Sequence, residues 1–160
     1  MKLIKTEDAV GHILCHDITQ IIKDVIKDAR FRKGHIVTED DIPVLLSMGK
    51  DYLYIWENDD TMYHENEAAQ ILCDICISEN MSPSEVKEGK IELKADCDGL
   101  FVVDVERLNE INDIDQVIIA TRHTNTPVHK GDKLIGTRVI PLVIEKAKME
   151  LVQEKAGETP

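Results

Sequence analysis

Apolar positions along the chain recur in two periods. Residues 65–77 carry Ala68, Ile71, Leu72, Ile75 and Cys76 at i, i+3, i+4, i+7 and i+8. That spacing predicts a helix with one apolar face. Residues 38–49 predict a shorter helix. Thr38 suits the N-cap, and Asp41 stands three residues on, close to a capping box. Glu39, Asp40 and Asp41 lie where the positive end of the helix dipole favours acids. Ile42, Leu45 and Leu46 share a face, and Gly49 can close the helix in the left-handed conformation. Asp104 is placed to cap a helix over 105–112, and 145–155 reads as a last helix of mixed charge.

Between these helices the period shortens to two or gives way to β-branched runs. Residues 13–22, 52–56, 90–95, 100–103, 116–120 and 133–144 are the expected strands. Residues 6–11 predict one helical turn stopped by Gly11, and the polar segment 23–30 predicts a loop. Asp98-Gly99 predicts a tight hairpin joining 90–95 to 100–103. The expected fold is therefore α+β, with irregular, mostly antiparallel β lobes and a few short helices. Residues 78–89 combine Ser, Asn, Pro and Gly without an apolar period, so they are expected to link an N-terminal lobe (1–77) to a β-rich lobe (90–155). Residues 156–160 read as a tail leading toward a domain absent from the chain. Two short segments echo one another: Phe31-Arg-Lys-Gly-His35 and Val128-His-Lys-Gly-Asp132 each set a Lys-Gly pair beside a β-rich run.

Charge changes this picture at one place. The chain has 19 Lys and Arg against 31 Asp and Glu, a formal net charge of −12. Such a balance argues against binding to nucleic acid or to an anionic membrane surface. No apolar run reaches the ~20 residues of a spanning helix, and the first residues lack the apolar segment of a signal peptide. A cytoplasmic soluble protein is the expectation. Residues 118–141 reverse the sign locally with Arg122, His123, His129, Lys130, Lys133 and Arg138 against one acid, Asp132. Two readings fit them: a solvated turn between strands, or a site for an anionic, phosphorylated small molecule.

Other chemistry is thin. Cys73 and Cys76 form a C-x-x-C pair inside a helical pattern, with no second pair to complete a zinc site, so buried structural thiols are expected. His12 and His16 lack a visible third ligand, and no metal site is expected. The phosphate-binding glycine patterns of nucleotide-binding proteins are absent, as is the G-x-S-x-G nucleophile motif. His16, Asp17 and Thr19 form a second candidate cluster at the end of the first long strand. There Asp17 could meet a cation or a basic group, or merely close a turn.

The segment Val10-Gly-His-Ile-Leu-Cys-His-Asp-Ile-Thr19 resembles the opening motif of the molybdopterin molybdenumtransferase family, roughly L-G-R-x-L-A-E-D-[VI], with Asp17 at its aspartate. Lys33 to Gly49 is similar to a later segment of that family. The chain as a whole resembles the N-terminal part of shorter molybdopterin-binding relatives, in which segments like 119–144 precede an α/β domain. The family's D-N-S-x-M-D-G-[YF] segment does not follow the first strand here, and its T-T-G-[SN]-E loop is missing.

The resemblance implies a molybdopterin-handling accessory module of molybdenum cofactor biosynthesis or binding. It would be transferase-like but not catalytic alone. Arg122, His123, Lys130, Lys133 and Arg138, with Asp17 and Thr19, would form one wall of a site for the anionic pterin phosphate. Mg²⁺ would belong with the α/β domain. Implied partners are a second copy of the chain and a molybdoenzyme or cofactor-biosynthesis protein. Two alternatives stand beside it. One is a non-catalytic dimerisation module using the apolar face of 65–77 or of the last helix. The other is a β-clip domain, because residues 33–42 also resemble the K-G-x-x-[IL]-x-x-[ED]-D-[IL] pattern of SAF domains that bind a small sugar acid or phosphate.

Overall fold

The computed structural model describes residues 1–22, 26–57 and 60–158. The chain divides into two compact units, Met1–Asp59 and Asp60–Pro160. The division thus falls in the polar turn after the fifth strand and not over the expected linker at 78–89.

The first unit contains β1 (Lys2–Lys5), a 3-10 turn over Thr6–Asp8, β2 (Ile13–Leu14), β3 (Ile18–Ile22), β4 (Ile26–Phe31), α1 (Asp41–Ser47) and β5 (Tyr52–Trp56). Strands β1, β5 and β2 form an antiparallel sheet in that order, and β3 pairs with β4 as a separate hairpin. The core is aliphatic, as a chain with 4% aromatic residues requires: Leu14, Ile18, Val37, Leu45, Leu53 and Ile55 are buried with Phe31.

Three expectations change here. Residues 13–22 form two strands, broken at Cys15–Asp17, because Leu14 already exchanges backbone bonds with His35 and Gly34. Residues 26–31 form β4 where a loop was expected, with 23–25 outside the described residues. α1 starts later than its sequence signal. Thr38 N–H donates to the Asp41 carboxylate at 2.9 Å, the acidic half of a capping box, while the N-cap itself is Asp40. Gly49 adopts φ +75° after the helix, a conformation open to glycine at little cost.

The second unit contains β6 (Met62–His64), α2 (Glu65–Cys76), β7 (Met81–Pro83), β8 (Lys90–Ala95), β9 (Gly99–Phe101), α3 (Val105–Asn112), β10 (Val117–Thr121), β11 (Thr126–Val128), β12 (Lys133–Val139), β13 (Val143–Glu145) and α4 (Lys146–Ala156). The main sheet runs β10-β12-β8-β7, all antiparallel, with the two-stranded pairs β9–β11 and β6–β13 beside it. The architecture is thus α+β, built from small antiparallel sheets with short helices.

Local signals set the helices well. His64 caps α2 by accepting from Asn66 N–H while Glu67 accepts from His64 N–H, a complete capping box. Asp104 caps α3 by accepting from Arg107 N–H at 3.2 Å. Ala68, Ala69, Leu72 and Cys73 of α2 and Met149, Val152 and Ala156 of α4 are buried in this unit's core. Of the stripe considered for dimerisation on α2, Ala68 and Leu72 are buried in this core while Ile71, Ile75 and Cys76 are half-buried, and Leu151 of α4 is exposed.

Pairings differ more than elements do. Asp98-Gly99 does not close a hairpin between β8 and its neighbour in sequence; β9 turns away to pair with β11. The expected strand over 133–144 is interrupted after Val139 and resumes as β13, which pairs with β6. Part of the expected linker forms β7, the outer strand of the main sheet, where Pro83 is tolerated because its missing N–H faces no partner strand. Gly89 is buried beside β12 and accepts from Val139 N–H through its carbonyl.

A candidate anion corner and groove in the second unit

The basic stretch becomes a corner at one end of the main sheet. Thr121 ends β10 opposite Ile135 of β12. Arg122 folds back across this end: its backbone N–H donates to Leu134 O at 3.0 Å and its Nε to Lys133 O at 2.6 Å. Residues 129–132 turn beside it, where His129 N–H donates to Asp132 at 2.9 Å and Lys130 N–H to Asp98 Oδ1 at 2.8 Å. That bond from Lys130, with His129 nearby, holds the Asp98 carboxyl below its ordinary range.

The structure brings Arg122, His123, Lys130 and Lys133 to this corner, but it also brings acids that are distant in sequence. Lys133 Nζ pairs with Glu92 at 3.0 Å, Arg122 lies 3.9 Å from Asp132, and His129 lies 3.7 Å from Asp98. Two permanent cations and one histidine thus meet three acids, so much of the charge reversal along the sequence is cancelled in space. Among the described residues, the Lys130 ammonium and the His123 ring have no ion-pair partner. Arg138 does not join them. It stands opposite Ile118 at the other end of β10, five residues along β12 from Lys133, or about 16 Å at ~3.3 Å per residue. There its charge acts on Glu65, whose pKa burial pushes up and Arg138 draws back down. Asp17 and Thr19 belong to the first unit, where Asp17 accepts from Lys33 N–H at 2.7 Å. That bond makes Asp17 the closure of a turn.

Sequence reasoning missed the cavities. A chamber of about 130 Å³ lies between α3 and the sheet, lined chiefly by Met81, Phe101, Leu108, Ile111, Ile119 and Ile135. Asp104, Arg107 and Thr121 supply its polar edge. A second cavity of about 350 Å³ shares Ser78, Met81, Phe101 and Val102 with the first, so the two lie side by side along one grooved face. The lining of this second cavity includes Asp98 and Gly99, and the Asp98 carboxylate accepts from the backbone N–H of Lys130 on the adjacent turn. Leu100 and Val102, 62% and 64% exposed, stand along it. The groove forms because β9 leaves β8 to pair with β11, a non-local choice with no signature in the local pattern.

The remaining sequence candidates resolve simply. Cys15 and Cys73 are buried, and burial raises both thiols. Burial, with Cys73 beside it, pushes Cys76 up to about 12, so neither member of the C-x-x-C pair is a ready thiolate. Cys97 alone is exposed. His12 lines a separate open cavity of about 550 Å³ in the first unit with Lys2, Lys5, Asp8 and Glu57, and its buried Nδ1 has no partner. Among the described residues no group of three or more His, Cys, Asp or Glu is arranged to hold a metal ion, and no helix is long and apolar enough to cross a membrane.

Residues 3–57 match a family described as a domain of unknown function (DUF8806). That span coincides closely with the first unit. No curated protein and no solved structure matches the chain.

Proposed function

We propose that this chain is a molybdopterin-handling module that binds the anionic pterin phosphate in the groove of its second unit. It would act with an α/β molybdopterin-binding domain of the kind its sequence resemblance implies. The observation carrying the proposal is the groove's polarity. An apolar chamber with a polar edge suits a flat heterocycle, and the lining residue Asp98 holds the turn carrying Lys130, whose ammonium, without an ion-pair partner among the described residues, would meet the phosphate. Lys130 makes the main charge contact in this reading, and His123 adds a donor. Arg122 and Lys133 shape the corner while engaged with Lys133 O and Glu92. Arg138 and the cluster of Asp17 and Thr19 take no part in this groove. The role is binding and positioning, with no bond-making step assigned to these residues.

The test is quenching of pterin fluorescence by the full chain, using a pterin that carries a phosphate monoester. Losing one charge-assisted contact in Lys130→Ala weakens binding by about tenfold. An affinity unchanged by Lys130→Ala contradicts the proposal.

A further inference from the structure

We propose that the first unit carries a separate binding site for a small, multiply charged phosphate ligand, held by Arg30, Arg32 and Lys33. The site is the corner where β4 leaves its hairpin. Phe31, 7% exposed, anchors it in the core, opposite Ile18. Arg30 is the extra residue of a β-bulge, since Phe31 pairs with Ile18 and Ala29 with Thr19. A bulge of this kind re-aims the side chain it carries. Arg30, Arg32 and Lys33 are all exposed, and among the described residues none of their charged groups forms an ion pair. Among the described side chains, two acids near this turn are engaged: Asp17 accepts from Lys33 N–H, and Asp41 pairs with His35 Nε2 at 2.7 Å.

The second unit contains the same corner and gives an internal comparison. Gly34 N–H donates to Leu14 O and Leu14 N–H to His35 O; Gly131 N–H donates to Ala95 O and Ala95 N–H to Asp132 O. His35 N–H donates to Arg32 O, and Asp132 N–H to His129 O. Asp17 and Asp98, each three residues past Leu14 and Ala95, accept from Lys33 and Lys130 N–H at 2.7 and 2.8 Å. Gly34 and Gly131 have φ of +91° and +90°. The sequence echo around the two Lys-Gly pairs is therefore a repeated structural element. Its electrostatics differ between copies. In the second, Glu92 and Asp132 pair with the neighbouring cations, and His129 and Asp132 stand where the first has Arg32 and His35.

Among the described residues, three cations thus stand close in sequence at the end of β4 and on the turn after it with no side-chain ion pair, and the Asp17 carboxylate is held by the Lys33 backbone. Because the backbone is already fixed by these bonds, little ordering remains to oppose binding. Two guanidinium forks and an ammonium match the several oxygens and multiple charge of a phosphate or diphosphate better than a lone carboxylate. The exposed Thr19, paired with Ala29 one residue from Arg30, adds a hydroxyl donor. The net charge of −12 disfavours a nucleic-acid strand and leaves a small ligand as the fitting partner.

The test is a titration of the ¹⁵N-labelled full chain with inorganic pyrophosphate, with sodium chloride at matched ionic strength as the control. Saturable shifts are expected at the amides of Thr19, Arg30, Arg32, Lys33 and Gly34. The double variant Arg30→Ser, Arg32→Ser, both at exposed positions, should weaken binding by about 100-fold, as loss of two charge-assisted contacts implies. Arg30→Lys with Arg32→Lys, which keeps the charge and loses the forks, should fall between. Lys130→Ala should leave this binding unchanged, which separates it from the groove of the second unit. Shifts that do not saturate, that sodium chloride reproduces, or that survive the serine variant with the same affinity would overturn the proposal.

Discussion

Substituting Gly89 by alanine distinguishes a flexible linker from a packed part of the second unit. Gly89 has φ +69°, and a Cβ built there would sit 2.7 Å from the backbone oxygen of Val139 and 3.4 Å from the Glu65 side chain. The left-handed conformation costs a side-chain-bearing residue roughly 1–2 kcal/mol. Relief of the contact requires movement of β12 backbone, and overpacking of this kind costs about 1–3 kcal/mol. Gly89→Ala should therefore destabilise the chain by roughly 2–5 kcal/mol. For a unit of this size that lowers the melting temperature by about 10 °C or more. The assay is thermal and urea unfolding followed by far-UV circular dichroism. Gly136→Ala is the control: a Cβ there meets nothing within 4 Å and φ is not positive, so its midpoint should barely change. In a flexible linker, Gly→Ala stabilises slightly by restricting the unfolded chain. A Gly89→Ala midpoint equal to or above that of the parent would refute the packing described for 78–89.

Three further outcomes follow from local geometry. Asn112→Ala removes two bonds to Ile119 on the outer strand β10 (to its O at 2.9 Å and from its N–H at 2.8 Å), and should cost about 1–2 kcal/mol in urea unfolding. Burial alone would raise the Asp41 carboxyl, but the bonds from His35 and Thr38 outweigh it and hold the folded value below the ordinary 3.8. A depressed acid stabilises the fold at pH above its unfolded pKa and loses that contribution as pH falls through the folded value. Asp41→Asn should accordingly lower stability at pH above about 4 and flatten the acid limb below it, where the parent has lost the same contribution. In alkylation at about pH 8, Cys97 should react quickly and Cys15, Cys73 and Cys76 only after denaturant is added, as mass spectrometry of the native protein will report.

Legibility in the sequence followed the range of the interaction. The helix α3 and its Asp104 cap, the α2 stripe, and Gly49 behind α1 all depend on residues within a few positions, and each was visible there. The partner of β9 was not, because an Asp-Gly pair favours a tight turn locally while the gain from pairing with β11 lies 29 residues away, from Gly99 to Val128. The unit boundary was obscured for a related reason. An outer strand such as β7, with Pro83 and exposed polar side chains, has the composition of a linker, whereas the true division lies in an equally polar turn. At the candidate site, the cations of 118–141 could be read from sequence but Glu92 and Asp98 could not be assigned to them. Only the fold shows that most of that charge is met and that Arg138 stands at the opposite end of the sheet.

The groove in the second unit is tested most directly by mapping a phosphate-bearing pterin onto the ¹⁵N-labelled chain by NMR. The account predicts shifts at Phe101, Val102 and Thr121 around the chamber and at Lys130 and Gly131 on the turn, with Arg138 and Glu65 unmoved. Shifts centred on Arg138, or none along the groove at saturating pterin, would contradict it.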